Sequence, residues 1–166
     1  MLQPLVRRTW APRGQTPIQR SWDRHDRLSA ISALSVAPRR RRVGLYFQVH
    51  DHNIRTAEAV GFMRWVHRRL RRRIILVMDR WSVHRAAVRR LVRKGAGWFE
   101  VEWLPAYAPE LNPCEGIWNH TKYGELANYI AEDIDALQAE VEPSITSKRA
   151  STNLLHSFFN HAELSL

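Results

Sequence analysis

Apolar residues recur along this chain with two different periods, and the two periods take turns. Residues 28–36 (Leu-Ser-Ala-Ile-Ser-Ala-Leu-Ser-Val) alternate apolar with small polar positions, the mark of a strand with one buried face. Pro38 and Arg39, Arg40, Arg41 and Arg42 interrupt the pattern as a hairpin tip, and residues 43–49 return as a second strand. Upstream, residues 5–13 read as a short strand entering a turn at Arg13-Gly14-Gln15. From Thr56, a residue able to cap a helix, Ala59, Phe62, Met63, Val66 and Leu70 repeat at helical spacing. Residues 74–78 form an unbroken apolar run, which predicts a strand buried on both faces. Ser82 is placed to cap a second helix that turns Val83, Ala87, Val88, Leu91 and Val92 inward and stops near Gly95-Ala96-Gly97. Residues 99–103 alternate again, Asn112-Pro113 opens a third helix, and residues 132–163 read as helical with a break near Pro143. The order β-β-β-α-β-α-β-α predicts an α/β fold whose sheet mixes strand directions.

Charge divides the chain unevenly. Residues 1–93 hold 22 arginines against five acids, a balance of +17, whereas residues 94–166 carry −7. So basic a segment points to a polyanion, and nucleic acid is the default partner. A GC-rich genome explains a preference for Arg over Lys but not the excess of charge. An RNA-binding module would show a GXXG loop or paired aromatic strand motifs, and neither is present. The lone Cys114 excludes an internal disulfide framework and a cysteine-based zinc cluster. No apolar stretch is long enough to span a bilayer, and the first twenty residues lack a signal-peptide core. These features predict a cytoplasmic protein without a membrane partner.

Two acids stand out by position. Asp79 ends the apolar run 74–78, at the carboxyl edge where open α/β sheets build their sites. An unpaired carboxylate there is costly, so a metal ion or an arginine (Arg80 or Arg85) should compensate it. Glu115 lies in the first turn of the third helix, and strand–helix–strand–helix connectivity returns it toward the same edge. A bland reading stands beside this one: Glu115 follows Asn112 by three residues, which suits a capping box. Spacing alone does not choose between them.

Wider context does. Leu76-Val77-Met78-Asp79-Arg80-Trp81-Ser82-Val83-His84 resembles the second-aspartate motif of DDE-type insertion-sequence transposases related to the mariner superfamily. Leu104-Pro105-Ala106-Tyr107-Ala108-Pro109-Glu110-Leu111-Asn112-Pro113-Cys114-Glu115-Gly116-Ile117-Trp118 resembles the motif that carries the family's last glutamate. Residues 8–17 resemble the strand after its first motif.

The resemblance implies a ribonuclease H-like mixed sheet flanked by helices, with residues 1–130 as the catalytic domain and 131–166 as its C-terminal helical tail. It implies DNA cleavage and strand transfer with Asp79 and Glu115 as catalytic metal ligands. Two Mg²⁺ or Mn²⁺ ions suit such a site, because hard cations take oxygen ligands and a pair of them serves both oxygens of an in-line displacement. His84, Tyr107 and Asn112 are expected to shape the site, and Trp81 and Trp118 lie close enough in sequence to suggest base stacking. Arg39–Arg42 together with Arg68, Arg69, Arg71, Arg72 and Arg73 are expected to grip phosphates of double-stranded DNA. The family's first aspartate and its central strand are expected upstream of Met1, making this an incomplete copy that is inactive alone. Asp51, Asp23 and Asp26 are weak substitutes. A non-catalytic DNA-binding remnant, acting as a homodimer or paired with an intact transposase, is the alternative. Glu125 is expected to have no role.

Overall fold

The computed structural model describes residues 8, 10–15, 28–39 and 42–164. Strands β1 (Ser29–Val36) and β2 (Val43–His50) form an antiparallel hairpin in register Ser29↔His50 through Val36↔Val43, closed by the Ala37 N–H donating to Arg42 O. Helix α1 (Thr56–Leu70) leads to β3 (Ile74–Met78), α2 (Ser82–Arg93) and β4 (Phe99–Trp103), and β3 and β4 pair in parallel. A 3₁₀ turn (Pro109–Leu111) precedes α3 (Pro113–Asn119), which runs straight into a π-helical segment (His120–Glu125). Helices α4 (Ile134–Lys148) and α5 (Thr152–His161) complete the described chain. Among the described residues no helix is long and apolar enough to cross a membrane.

The β1–β2 hairpin is a middle layer. Its odd β1 positions and Tyr46 face α1, α2 and the β3–β4 pair, where Ile31, Ala59, Phe62, Met63, Val66, Ala87, Leu91 and Phe99 form the first core. Its opposite face, with Leu34, Leu45 and Phe47, meets α3, α4 and α5 in a second core around Ile117, Val141, Ile145, Leu155 and Phe158. The one-faced reading of residues 28–36 is therefore corrected. Its small Ser and Ala positions are not a solvent face, because they let α3 approach closely enough for Cys114 Sγ to reach Ser32 O. The two-faced reading of β3 is corrected in the opposite sense. Leu76 and Met78 pack on the first core, while Ile75 and Val77 are 66% and 60% exposed. No element packs on that side among the described residues, and an apolar run does not reveal how many faces are covered.

Smaller expectations also shift. Residues 5–7 and 9 of the strand expected at 5–13 lie outside the described residues, and residues 8 and 10–12 are not strand, although the turn follows with Gln15 N–H donating to Pro12 O. Thr56 is the first residue of α1, not its cap; Glu58 reaches back to the Arg55 N–H at 2.8 Å. Pro143 does not break α4, because it sits exposed on the helix and removes only one surface hydrogen bond. The break falls at residues 149–151, where Ser151 caps α5. Helix α2 does stop where expected, with Gly95 at φ +71°.

Candidate active site

Asp79 follows the last residue of β3, and its position is set by the strand and by the mouth of α2. The ladder continues to the end of β3, where Leu104 N–H donates to Met78 O at 2.8 Å. Ser82 does not cap α2. Asp79 Oδ1 does related work, accepting from the Trp81 N–H at 3.0 Å and meeting His84 Nδ1 at 2.7 Å. The hydrogen bond from His84, aided by the Trp81 amide and opposed by burial, holds the Asp79 carboxyl below its ordinary range. His84 is largely enclosed and lies edge-on to Trp81, so it orients the carboxylate rather than facing solvent. Neither expected arginine pairs with Asp79: Arg80 donates to Leu104 O, and Arg85 forms no salt bridge among the described residues. All these contacts use Oδ1, which leaves Oδ2 available.

Glu115 sits in the first turn of α3. Asn112 caps this helix, its side-chain oxygen accepting from Cys114 N–H at 3.1 Å, while its own N–H donates to Pro109 O. The capping box is therefore not closed, and the Glu115 carboxylate accepts no hydrogen bond among the described residues. It is half-buried, and burial followed by the charge of Asp79 raises its affinity for a proton. Asp79 and Glu115 thus share one electrostatic neighbourhood although they are far apart in sequence. Cys114 lies in it as well; burial first, with Glu115 and Asp79 adding to it, pushes the thiol up to about 11. At neutral pH it is an inert thiol, neither nucleophile nor ligand.

The setting of α3 depends on residues that carry no sequence signal. A Cβ at Gly116 would lie 2.6 Å from Phe158 Cδ1, so only glycine lets α5 press this close. Beyond α3, the π-helical segment ends at Glu125, which accepts from the buried Lys148 ammonium at 2.6 Å and from the Ser144 hydroxyl. Lys148 also donates to Ser144 O at 2.8 Å. These contacts outweigh the opposing effect of burial and keep the Glu125 carboxyl below its usual range. Glu125, expected to have no role, ties the segment continuing from α3 to α4.

The remaining candidates fall elsewhere. Asp51 is exposed, and its electrostatic neighbours are His52 and His50, not Asp79. Asp23, Asp26, Arg40 and Arg41 lie outside the described residues, while Arg39 and Arg42 are exposed at the hairpin tip. Tyr107 is fully exposed with φ +60°, so its backbone turns the loop while its ring packs on nothing. Trp118 packs against the second core, whereas Trp81 is 44% exposed. The cluster 68–73 is divided: Arg69 lies over the Trp65 ring, Arg71 ends α1 in the left-handed conformation, and Arg73 pairs with Glu100 at 2.9 Å. Residues 71–73 precede β3 and Asp79 follows it, so they occupy opposite sheet edges roughly 20 Å apart at strand rise.

Among the described residues, no three His, Cys, Asp or Glu side chains gather closely enough to hold a metal ion by themselves. The pair Asp79 and Glu115 nevertheless has the donor chemistry for a hard divalent cation. Among the described residues both offer oxygens free of hydrogen bonds, and their mutual repulsion is what a cation relieves.

With this geometry in view, comparison with known proteins defines the class. Residues 1–138 match the DDE superfamily endonuclease family, and the chain belongs to that family. Among the described residues the strands form two separate two-stranded sheets, one antiparallel and one parallel, not the single mixed sheet expected. This mixed α/β fold, with small sheets flanked by helices, is similar to that in the crystal structure of the Mos1 strand transfer complex. The TM-score is 0.57 at 15% identity, covering 98% of this chain and 49% of that one. The chain spans about half the length of that protein. No curated protein matches it.

Proposed function

We propose that this chain forms the catalytic body of a transposase with a ribonuclease H-like fold, cutting and rejoining DNA at a site where Asp79 and Glu115 hold Mg²⁺ or Mn²⁺. The observation that carries this reading is the electrostatic coupling of Asp79 and Glu115 in a member of the DDE endonuclease family. Bound divalent cations would activate the attacking oxygen and stabilise the leaving one. Each residue prepares its own part. His84 and the Trp81 amide fix one oxygen of Asp79 and leave the other free. The Asn112 cap secures the first turn of α3 without consuming Glu115. Double-stranded DNA is the partner, attracted by the +17 balance of residues 1–93.

The test is a Mn²⁺ titration followed by electron paramagnetic resonance. Asp79→Ala and Glu115→Gln should each weaken binding at least about tenfold, the scale of losing one good interaction of about 1.4 kcal/mol. Glu140→Gln, on the exposed face of α4, should leave it unchanged. Equal affinity in all four proteins refutes the assignment. Duplex binding without Mn²⁺ binding would favour the alternative, a DNA-binding protein that acts only with an intact copy.

A further inference from the structure

An open groove beside α2 is lined by Thr56, Ala86, Arg89, Arg90, Arg93 and Lys94. We propose that it is a track for the sugar–phosphate backbone of duplex DNA, leading away from Asp79; the proposal rests on the transposase reading and assigns a surface to its DNA. Four of the six lining residues are cations and none is an acid. Among the described residues none of the four joins a salt bridge, unlike Arg73 on Glu100 and Lys148 on Glu125. Crowding like charges without counter-charge is unfavourable, and a polyanion relieves it.

Direction follows from helix geometry. Arg85, Arg89 and Arg93 recur every fourth residue and so form one row with steps of roughly 6 Å. Helix α2 starts three residues after Asp79, so the row begins about one turn from the candidate site and runs about 12 Å away from it. Phosphates on one strand advance by about 3.4 Å of axis each, so this length serves several consecutive base pairs. The lining chemistry suits phosphates, because cations pair with them whatever the base sequence. Arginine can also reach guanine edges, but no Asn, Gln or acid lines the groove to read the other bases. The remaining lining residues, Ala86 and Thr56, are too small to block approach. There is also no aromatic or large apolar anchor of the kind protein interfaces need. None of these residues lies in the arginine clusters singled out by sequence, because Thr56 and α2 meet only in the fold.

The experiment is fluorescence anisotropy of a duplex of about 25 base pairs over a range of KCl concentrations. Removing two phosphate contacts with Arg89→Ala/Arg93→Ala should lower the slope of log affinity against log salt by about 1.8. A control with the same loss of charge, Arg13→Ala/Arg64→Ala, should change it by less than about half as much. All four side chains are exposed, so circular dichroism and Tm should match the unaltered chain. Equal loss in both variants, or none in the groove variant, overturns the track. Competition by polyglutamate as strong as by duplex overturns it in favour of an acidic protein partner. Failure of the unaltered chain to bind duplex at low salt also overturns it, while the Mn²⁺ titration still judges Asp79 and Glu115 separately.

Discussion

The two strand pairs of this protein are built on opposite plans. The β1–β2 hairpin is covered on both faces, by α1 and α2 on one side and by α3, α4 and α5 on the other. Among the described residues the β3–β4 pair is covered on one face, and its other side presents Ile75 and Val77 beside Glu100 and Glu102. The difference bears on the site, because each pair supports one carboxylate. Asp79 extends from the half-covered pair and depends on local contacts, the Trp81 amide and His84, for its orientation. Glu115 rides on a helix pressed against the fully covered hairpin and held from behind by α5 and the Glu125–Lys148 pair. One carboxylate is set locally and the other by tertiary packing, so they should respond differently to distant mutations.

The largest effect should separate the two sheets directly. Leu45 is 4% exposed in the second core, and Leu45→Ala should cost about 2–5 kcal/mol in urea unfolding. Ile75→Thr on the uncovered face should cost less than about 0.5 kcal/mol, as surface changes do. If the two losses were similar, the contrast between the sheets would collapse and some other element would have to cover β3.

Next in size is the pair behind Glu115. Glu125→Ala leaves the Lys148 ammonium buried without its carboxylate, a change that costs about 3–5 kcal/mol for fully buried pairs. Glu125 is partly exposed, so a loss of about 2–3 kcal/mol is expected here. Hydrogen exchange should show protection falling in α3 and α4 while α1 and β3 hold theirs. A uniform loss across both halves would show that the cores are not separable.

The smallest effect concerns Glu115 itself. Burial and the charge of Asp79 raise its proton affinity above the ordinary value of 4.5. A carboxyl raised in the folded state contributes stability that is complete below that value and is lost as pH rises through the folded one. At pH 7 the ionised group is therefore a net cost. Glu115→Gln should raise Tm by about 1–2 °C at pH 7, and the advantage should shrink as pH falls toward 4.5. A Tm that drops at pH 7, or a gain that grows on acidification, contradicts the strain assigned to this carboxylate.

Much of this was legible in the residue order. The helical spacing from Ala59 to Leu70, the glycine stop after α2, the Asn112-Pro113 opening of α3 and the two acids singled out at Asp79 and Glu115 are local signals. Each depends on backbone preferences or periodicity within a few residues, which a linear chain displays. What packs on what was decided only by the fold. The Ser and Ala positions of β1 look solvent-facing until α3 arrives, and the apolar run of β3 looks doubly buried although Ile75 and Val77 are exposed. His84 lies five residues from Asp79, but only the start of α2 turns it onto that carboxylate. Glu125 and Lys148 stand 23 residues apart and look like ordinary surface charges. The groove beside α2 joins Thr56 to Arg89, Arg90 and Arg93 across an intervening strand. Contacts of this kind arise from closing long loops around a shared core, and no short-range pattern encodes which loops close on which.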